Sequence, residues 1–145
     1  MRMRTVLLAI CLVLFGACSR AEEPFEKGSV AIYSGAVEQE LIEHWIYSFH
    51  DGVCGDGPVI WVDEAGEQLF AIPYTDDFEL VITGKPRKEI TYAVYDQAYQ
   101  QLSLCKGTLD IPKQPGIYLV SFDIEWGTNK AYEGYQYYFK VEVPQ

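Results

Sequence analysis

Residues 117–126 read IYLVSFDIEW, and residues 135–143 read YQYYFKVEV. In the first stretch Tyr118, Val120, Phe122 and Ile124 recur at every second position until acidic residues enter. That period of two is the signature of a strand with one buried face. Gly127-Thr128-Asn129 supplies a turn, and the second stretch returns with the same alternation. The two predict a long antiparallel hairpin at the end of the chain.

Working outward, residues 30–33, 59–62 (VIWV), 78–82 (FELVI) and 90–95 (ITYAVY) are short β-rich runs. Turn chemistry separates them: Ser34-Gly35, Gly-Asp-Gly-Pro at 55–58, Ala65-Gly66-Glu67, and Thr83-Gly84-Lys85-Pro86. Two segments read both ways. Val37, Leu41, Trp45 and Phe49 recur every four residues, as on a helix face, yet Trp45, Ile46, Tyr47 and Phe49 are strand formers. A turn followed by a strand is the expectation there, and a strand is also expected over 98–104. Short strands between Gly and Pro turns imply an all-β sandwich or barrel.

Pro115-Gly116-Ile117-Tyr118 puts a tyrosine two residues after a turn glycine at the start of a long strand. This resembles the tyrosine corner of immunoglobulin-like sandwiches, in which the ring hydroxyl bonds back to the preceding connection. The resemblance implies an Ig-like antiparallel β-sandwich over 29–145. It departs from antibody domains at Val120, where their second cysteine would stand, and in Trp61, which follows Cys54 by only seven residues. A looser bacterial Ig-like domain is the better match, and it brings no activity with it.

The chain begins with Arg2 and Arg4, an apolar run from Thr5 to Phe15, and the small pair Gly16-Ala17 before Cys18. Such a start reads as an export signal. With the cysteine directly after the small pair it resembles a bacterial lipoprotein signal, Phe15 replacing the usual Leu, Val or Ile. That resemblance implies removal of residues 1–17 and lipidation, including palmitate, of Cys18. Eleven apolar residues span roughly 17 Å as a helix, too short for a ~30 Å hydrocarbon core. Residues 18–28, broken by Pro24, then read as a lipidated N-terminus and short tether. The protein is expected to be exported and held by lipid at the cell membrane or outer membrane.

With Cys11 lost and Cys18 lipidated, Cys54 and Cys105 remain. In an oxidising compartment they are expected to form one disulfide, closing a loop of about fifty residues with a stabilisation of roughly 4 kcal/mol. A reactive thiol or a metal ligand is the weaker reading, since no third cysteine or nearby histidine completes a zinc site. Loss of the two signal arginines leaves 21 acidic against 9 basic residues. Such a surface repels nucleic-acid phosphates, and no nucleic-acid partner is expected.

No catalytic residue, cofactor or metal is assigned. His44 and His50 show no spacing to a nucleophile and an orienting acid. There is no phosphate-cradling glycine loop. The Asp51–Gly57 loop followed by Asp63-Glu64 lacks the alternating acidic spacing of a calcium loop. Trp126, Tyr132, Tyr135, Tyr137 and Tyr138 crowd the final hairpin. Exposed, such rings offer a binding surface for a glycan or protein; the plainer reading makes one face core and the other cross-strand pairing. The expected function is a non-catalytic binding or accessory module at the cell envelope. The alternatives are a glycan-binding module, an inhibitor of a basic hydrolase such as a lysozyme, and a hydrolase with an unrecognised carboxylate pair.

Overall fold

A computed structural model of the chain describes residues 25–145. The signal-like segment 1–17, the lipidation candidate Cys18 and most of the expected tether lie outside the described residues. The elements run β1 (Ser29–Ser34), β2 (Val37–Glu38), β3 (Ile42–His50), β4 (Val53–Asp56), α1 (Val62–Gln68), β5 (Ala71–Pro73), β6 (Phe78–Thr83), β7 (Thr91–Tyr95), β8 (Gln101–Lys106), β9 (Gly116–Gly127) and β10 (Ala131–Val143).

β9 and β10 form the expected hairpin, paired from Tyr132↔Gly127 to Val143↔Gly116. Around them the large sheet runs β4-β3-β10-β9-β7-β8, and β5 adds in parallel to β10 past the end of β3. The small sheet runs β2-β1-β6. Alternation sends Phe122, Ile124 and Trp126 of β9, with Tyr137, Phe139 and Val141 of β10, inward to meet Ile32 of β1. Each such burial contributes about 1.5–3 kcal/mol. The result is an all-β sandwich, two antiparallel sheets packed through an aromatic core. Tyr118 donates its hydroxyl to the Gln114 carbonyl at 3.0 Å, the bond a tyrosine corner makes.

Of the two ambiguous segments, 37–49 is β2, a break and β3, and residues 101–106 form β8 after a turn. Residues 59–69 differ from expectation. They are an extended crossing followed by a helix, with neither a strand at 59–62 nor a turn at 65–67. Ala65 and Leu69, four apart, pack on Leu119 and Tyr138, and Asp63 and Glu64 stand in the first turn, where the helix dipole favours them. Gly66 allows the Tyr99 ring onto this helix, because a Cβ there would lie 2.2 Å from it. Residues 25–28, expected to be tether, are also packed: Phe25 lies against His50, and Gly28 touches the Trp126 indole.

The expected disulfide is not formed. Cys54 and Cys105 are both free thiols. Cys54 lies on β4 and Cys105 on β8, the two opposite edges of the large sheet. Five strand-to-strand steps at about 4.8 Å separate those edges by roughly 24 Å along the sheet, far beyond the ~7 Å Cα limit of a disulfide. The 51–57 loop is likewise a hairpin. Asp51 and Gly52 both take positive φ, 47° and 89°, as a type I′ turn requires, and β4 follows directly.

Candidate binding recess on the large sheet

The outer face of the large sheet is covered at one end only. There α1 and the 96–100 turn bury Leu119 and Tyr138. Toward the β9–β10 turn the face stays open, forming a recess of about 410 Å³. Its floor comes from strict alternation: Ser121, Asp123 and Glu125 are the β9 positions that do not enter the core, and Gln136 lies opposite Asp123 on β10. Ala93 and Thr91 of β7, Leu104 of β8, and the segment just before β7 carrying Lys88 and Glu89 complete the wall.

Tyr47 of β3 is the recess's aromatic side chain on the β3 flank. It lies across Gly134, where an added Cβ would stand 2.5 Å from its Cζ. Glycine there lets the ring lie flat on the sheet. Tyr132 meets the ring edge-on, with centroids 6.3 Å apart, and itself stacks on Phe49 at 5.2 Å. The Tyr47 hydroxyl donates to Glu125 Oε1 at 2.6 Å. With these contacts made, Tyr47 still lines the recess.

Glu125 ties the site together. Lys88 Nζ reaches Oε1 at 2.6 Å, and Arg87 pairs with Oε2 while its guanidinium lies 4.0 Å over the Tyr132 ring. The Arg87 amide also bonds the Glu125 carbonyl at 2.8 Å, placing the 86–88 segment beside β9. Burial works to raise the Glu125 pKa, but the donors Lys88, Tyr47 and Arg87 outweigh it and hold the carboxyl below the ordinary glutamate value. Burial, followed by the Glu125 hydrogen bond and charge, pushes the Tyr47 phenol far up, so it stays a donor.

Asp123 behaves in the opposite way. It reaches solvent, yet from the floor of a concavity in which hydration is incomplete. Desolvation raises its pKa, partly offset by a hydrogen bond from Gln136. Two carboxylates therefore stand two residues apart on one face, one committed to three donors and the other largely uncommitted. In chemical terms the recess offers an aromatic ring, the Asp123 carboxylate with the Gln136 amide beside it, and the Ser121 hydroxyl.

The aromatic candidates of the hairpin are not one exposed row. Trp126 and Tyr137 are fully buried between the sheets, with the indole N–H donating to the Tyr137 hydroxyl at 3.3 Å. Tyr138 is buried beneath α1 and donates to the Ile60 carbonyl at 3.0 Å. Burial raises its pKa to about 12. Tyr135 sits on the inner side, under Lys27 and bonded to Glu133. Burial and Glu133 push it to about 12. Only Tyr132 flanks the recess. His44 contacts the Pro58 carbonyl at 2.6 Å, and His50 packs on Phe25, so both have structural contacts.

Tyr47, Asp123, Glu125, Arg87 and Lys88 were not singled out from the sequence. The available signal was the position of Asp123 and Glu125 in the off-phase of the clearest strand, the phase that leaves the core. Among the described residues, no group of three His, Cys, Asp or Glu side chains gathers as a metal site. No described helix is long and apolar enough to cross a membrane. Comparison with protein-family models, curated proteins and solved structures finds no match to this chain.

Proposed function

We propose that the protein is an exported lipoprotein, anchored through Cys18, whose β-sandwich acts as a non-catalytic binding module at the cell envelope. The observation that carries the binding role is the half-open sheet face. A sheet face left uncovered normally presents solvated, mobile polar side chains. Here Tyr47, Glu125, Arg87 and Lys88 are instead locked to one another around an open recess. Fixed polar groups lower the entropy lost on binding, which is the main use of preorganisation.

The chain comes into the described fold at Phe25, beside the β9–β10 turn and the same end of β3. From a lipid on Cys18, the seven residues before Phe25 reach at most about 25 Å. The recess would then lie close to the membrane surface. Two measurements on the full chain in its own cells test this. Cys18→Ala should move the protein from the membrane to the soluble fraction. A photo-crosslinking residue at position 47 should capture an envelope component that the same residue at Trp61 does not. Retention of the C18A chain on the membrane would refute the anchor, and equal crosslinking at both positions would refute the site.

A further inference from the structure

We infer that the recess takes a neutral saccharide; this rests on the binding role proposed above and names the ligand class for the same face. Tyr47 supplies a flat aromatic surface. Its inner face covers Gly134, its edge meets Tyr132 and its hydroxyl is held by Glu125, so the ring cannot swing away. An aromatic plane of that kind suits the C–H face of a pyranose, which is flat, apolar and polarised toward a π cloud.

Beside the ring, the floor holds donor and acceptor capacity side by side. Asp123 accepts only, whereas Gln136 and Ser121 can both donate and accept. A sugar hydroxyl donates and accepts through one oxygen, so vicinal hydroxyls need paired partners of this sort. An isolated charge does not supply them. The volume of about 410 Å³ lies in the range of small-ligand sites, about 300–1,000 Å³.

Charge and backbone both narrow the choice. Arg87 and Lys88 share the single charge of Glu125, and with Asp123 and Glu89 the site holds three carboxylates against two cations, so its balance is negative. An anionic ligand would meet a net negative wall, in which the cations already share a carboxylate. An extended peptide adds to a sheet through unpaired backbone groups. The recess floor lies on β10, β9 and β7, which have strands on both sides, so a strand could add only along the β8 rim and not on the floor.

The test uses the full chain in detergent, titrated by calorimetry with three probes: a neutral tetrasaccharide of N-acetylglucosamine, an oligouronic acid, and a lysine-rich peptide. The neutral sugar should bind, and the uronic acid should bind at least about tenfold more weakly. Asp123→Asn should weaken the sugar by about tenfold and Tyr47→Ala by more, with Tyr47→Phe intermediate. Trp61→Ala, at an exposed position away from the recess, should leave it unchanged. Should Tyr47→Ala fail to fold, Asp123→Asn still decides. Sugar binding that ignores D123N and Y47F, or preference for the uronic acid, would overturn the inference. Binding of the lysine peptide alone, with loss in D123N, would overturn the saccharide while keeping the recess as a site. Failure of all three probes together with absence of recess crosslinking would remove both.

Discussion

Gly134 and Asp123 show how single residues divide the work of this face. At Gly134 the missing side chain is what admits the Tyr47 ring, and a methyl group would have to displace it from 2.5 Å. Gly134→Ala should therefore cost about 1–3 kcal/mol in urea unfolding, the usual result of overpacking a filled site. The two carboxylates have opposite linkage to pH. Glu125 has a folded pKa below its unfolded one, so it adds stability above pH ~4.5, lost as pH falls through the folded value. Glu125→Gln should flatten that acid limb in a denaturation–pH series. Asp123 has a raised folded pKa, so ionising it costs the fold stability as pH rises through that value. Asp123→Asn should hold or raise the thermal midpoint at pH 7 while weakening the ligand. A variant that gains stability and loses binding is the mark of a residue kept for function.

At the level of elements, the short helix α1 decides which part of the sheet face is covered. Its seven residues have no side-chain N-cap bond, so packing of Ala65 and Leu69 on Leu119 and Tyr138 has to hold it. Tyr99 supports it from a backbone with φ of 59°, uncommon for a bulky residue, fixed by Asp96, which accepts from Ala98 and Gln100 at 2.9 Å. Gly66→Ala improves helix propensity by about 1 kcal/mol, but its Cβ would lie 2.2 Å from the Tyr99 ring. The clash should win, and the variant should unfold at lower urea. β1, β6, β7, β9 and β10 were legible in the sequence because they carry β-branched or aromatic residues between turn residues, whereas β4 lies in the expected 51–57 loop and the three-residue β5 is too short to show a period. α1 was not legible, since Gly66 imitates a turn and Val62, Ala65 and Leu69 are too few to establish a helical period. Within the expected 51–57 loop, Asp51-Gly52 carries the Asp-Gly signal of a type I′ hairpin, and β3 pairs with β4 across it.

Across the whole molecule, sequence spacing could not decide the cysteines, because pairing depends on strand order. β3 and β4 join one edge of β10, while β7 and β8 lie beyond β9 on the other. Cys54 and Cys105 are therefore held apart by the topology itself. A reducing agent should leave the thermal midpoint unchanged, and both thiols should titrate with a thiol reagent in the unfolded chain. The candidate site was hidden for a related reason. Tyr47, the 86–88 segment, Asp123 and Gln136 are distant in sequence and meet only because β3, β10 and β9 are neighbours. The aromatic excess of the last strand, by contrast, is used mainly for the core. The central claim is that one end of the large sheet's outer face is a binding surface. Hydrogen-exchange mass spectrometry of the full chain, with and without the neutral tetrasaccharide, tests it most directly. Slowed exchange should be confined to peptides spanning 45–50, 86–93, 121–127 and 132–137. Protection centred on Trp61 and Phe70, or none at saturating sugar, would contradict it.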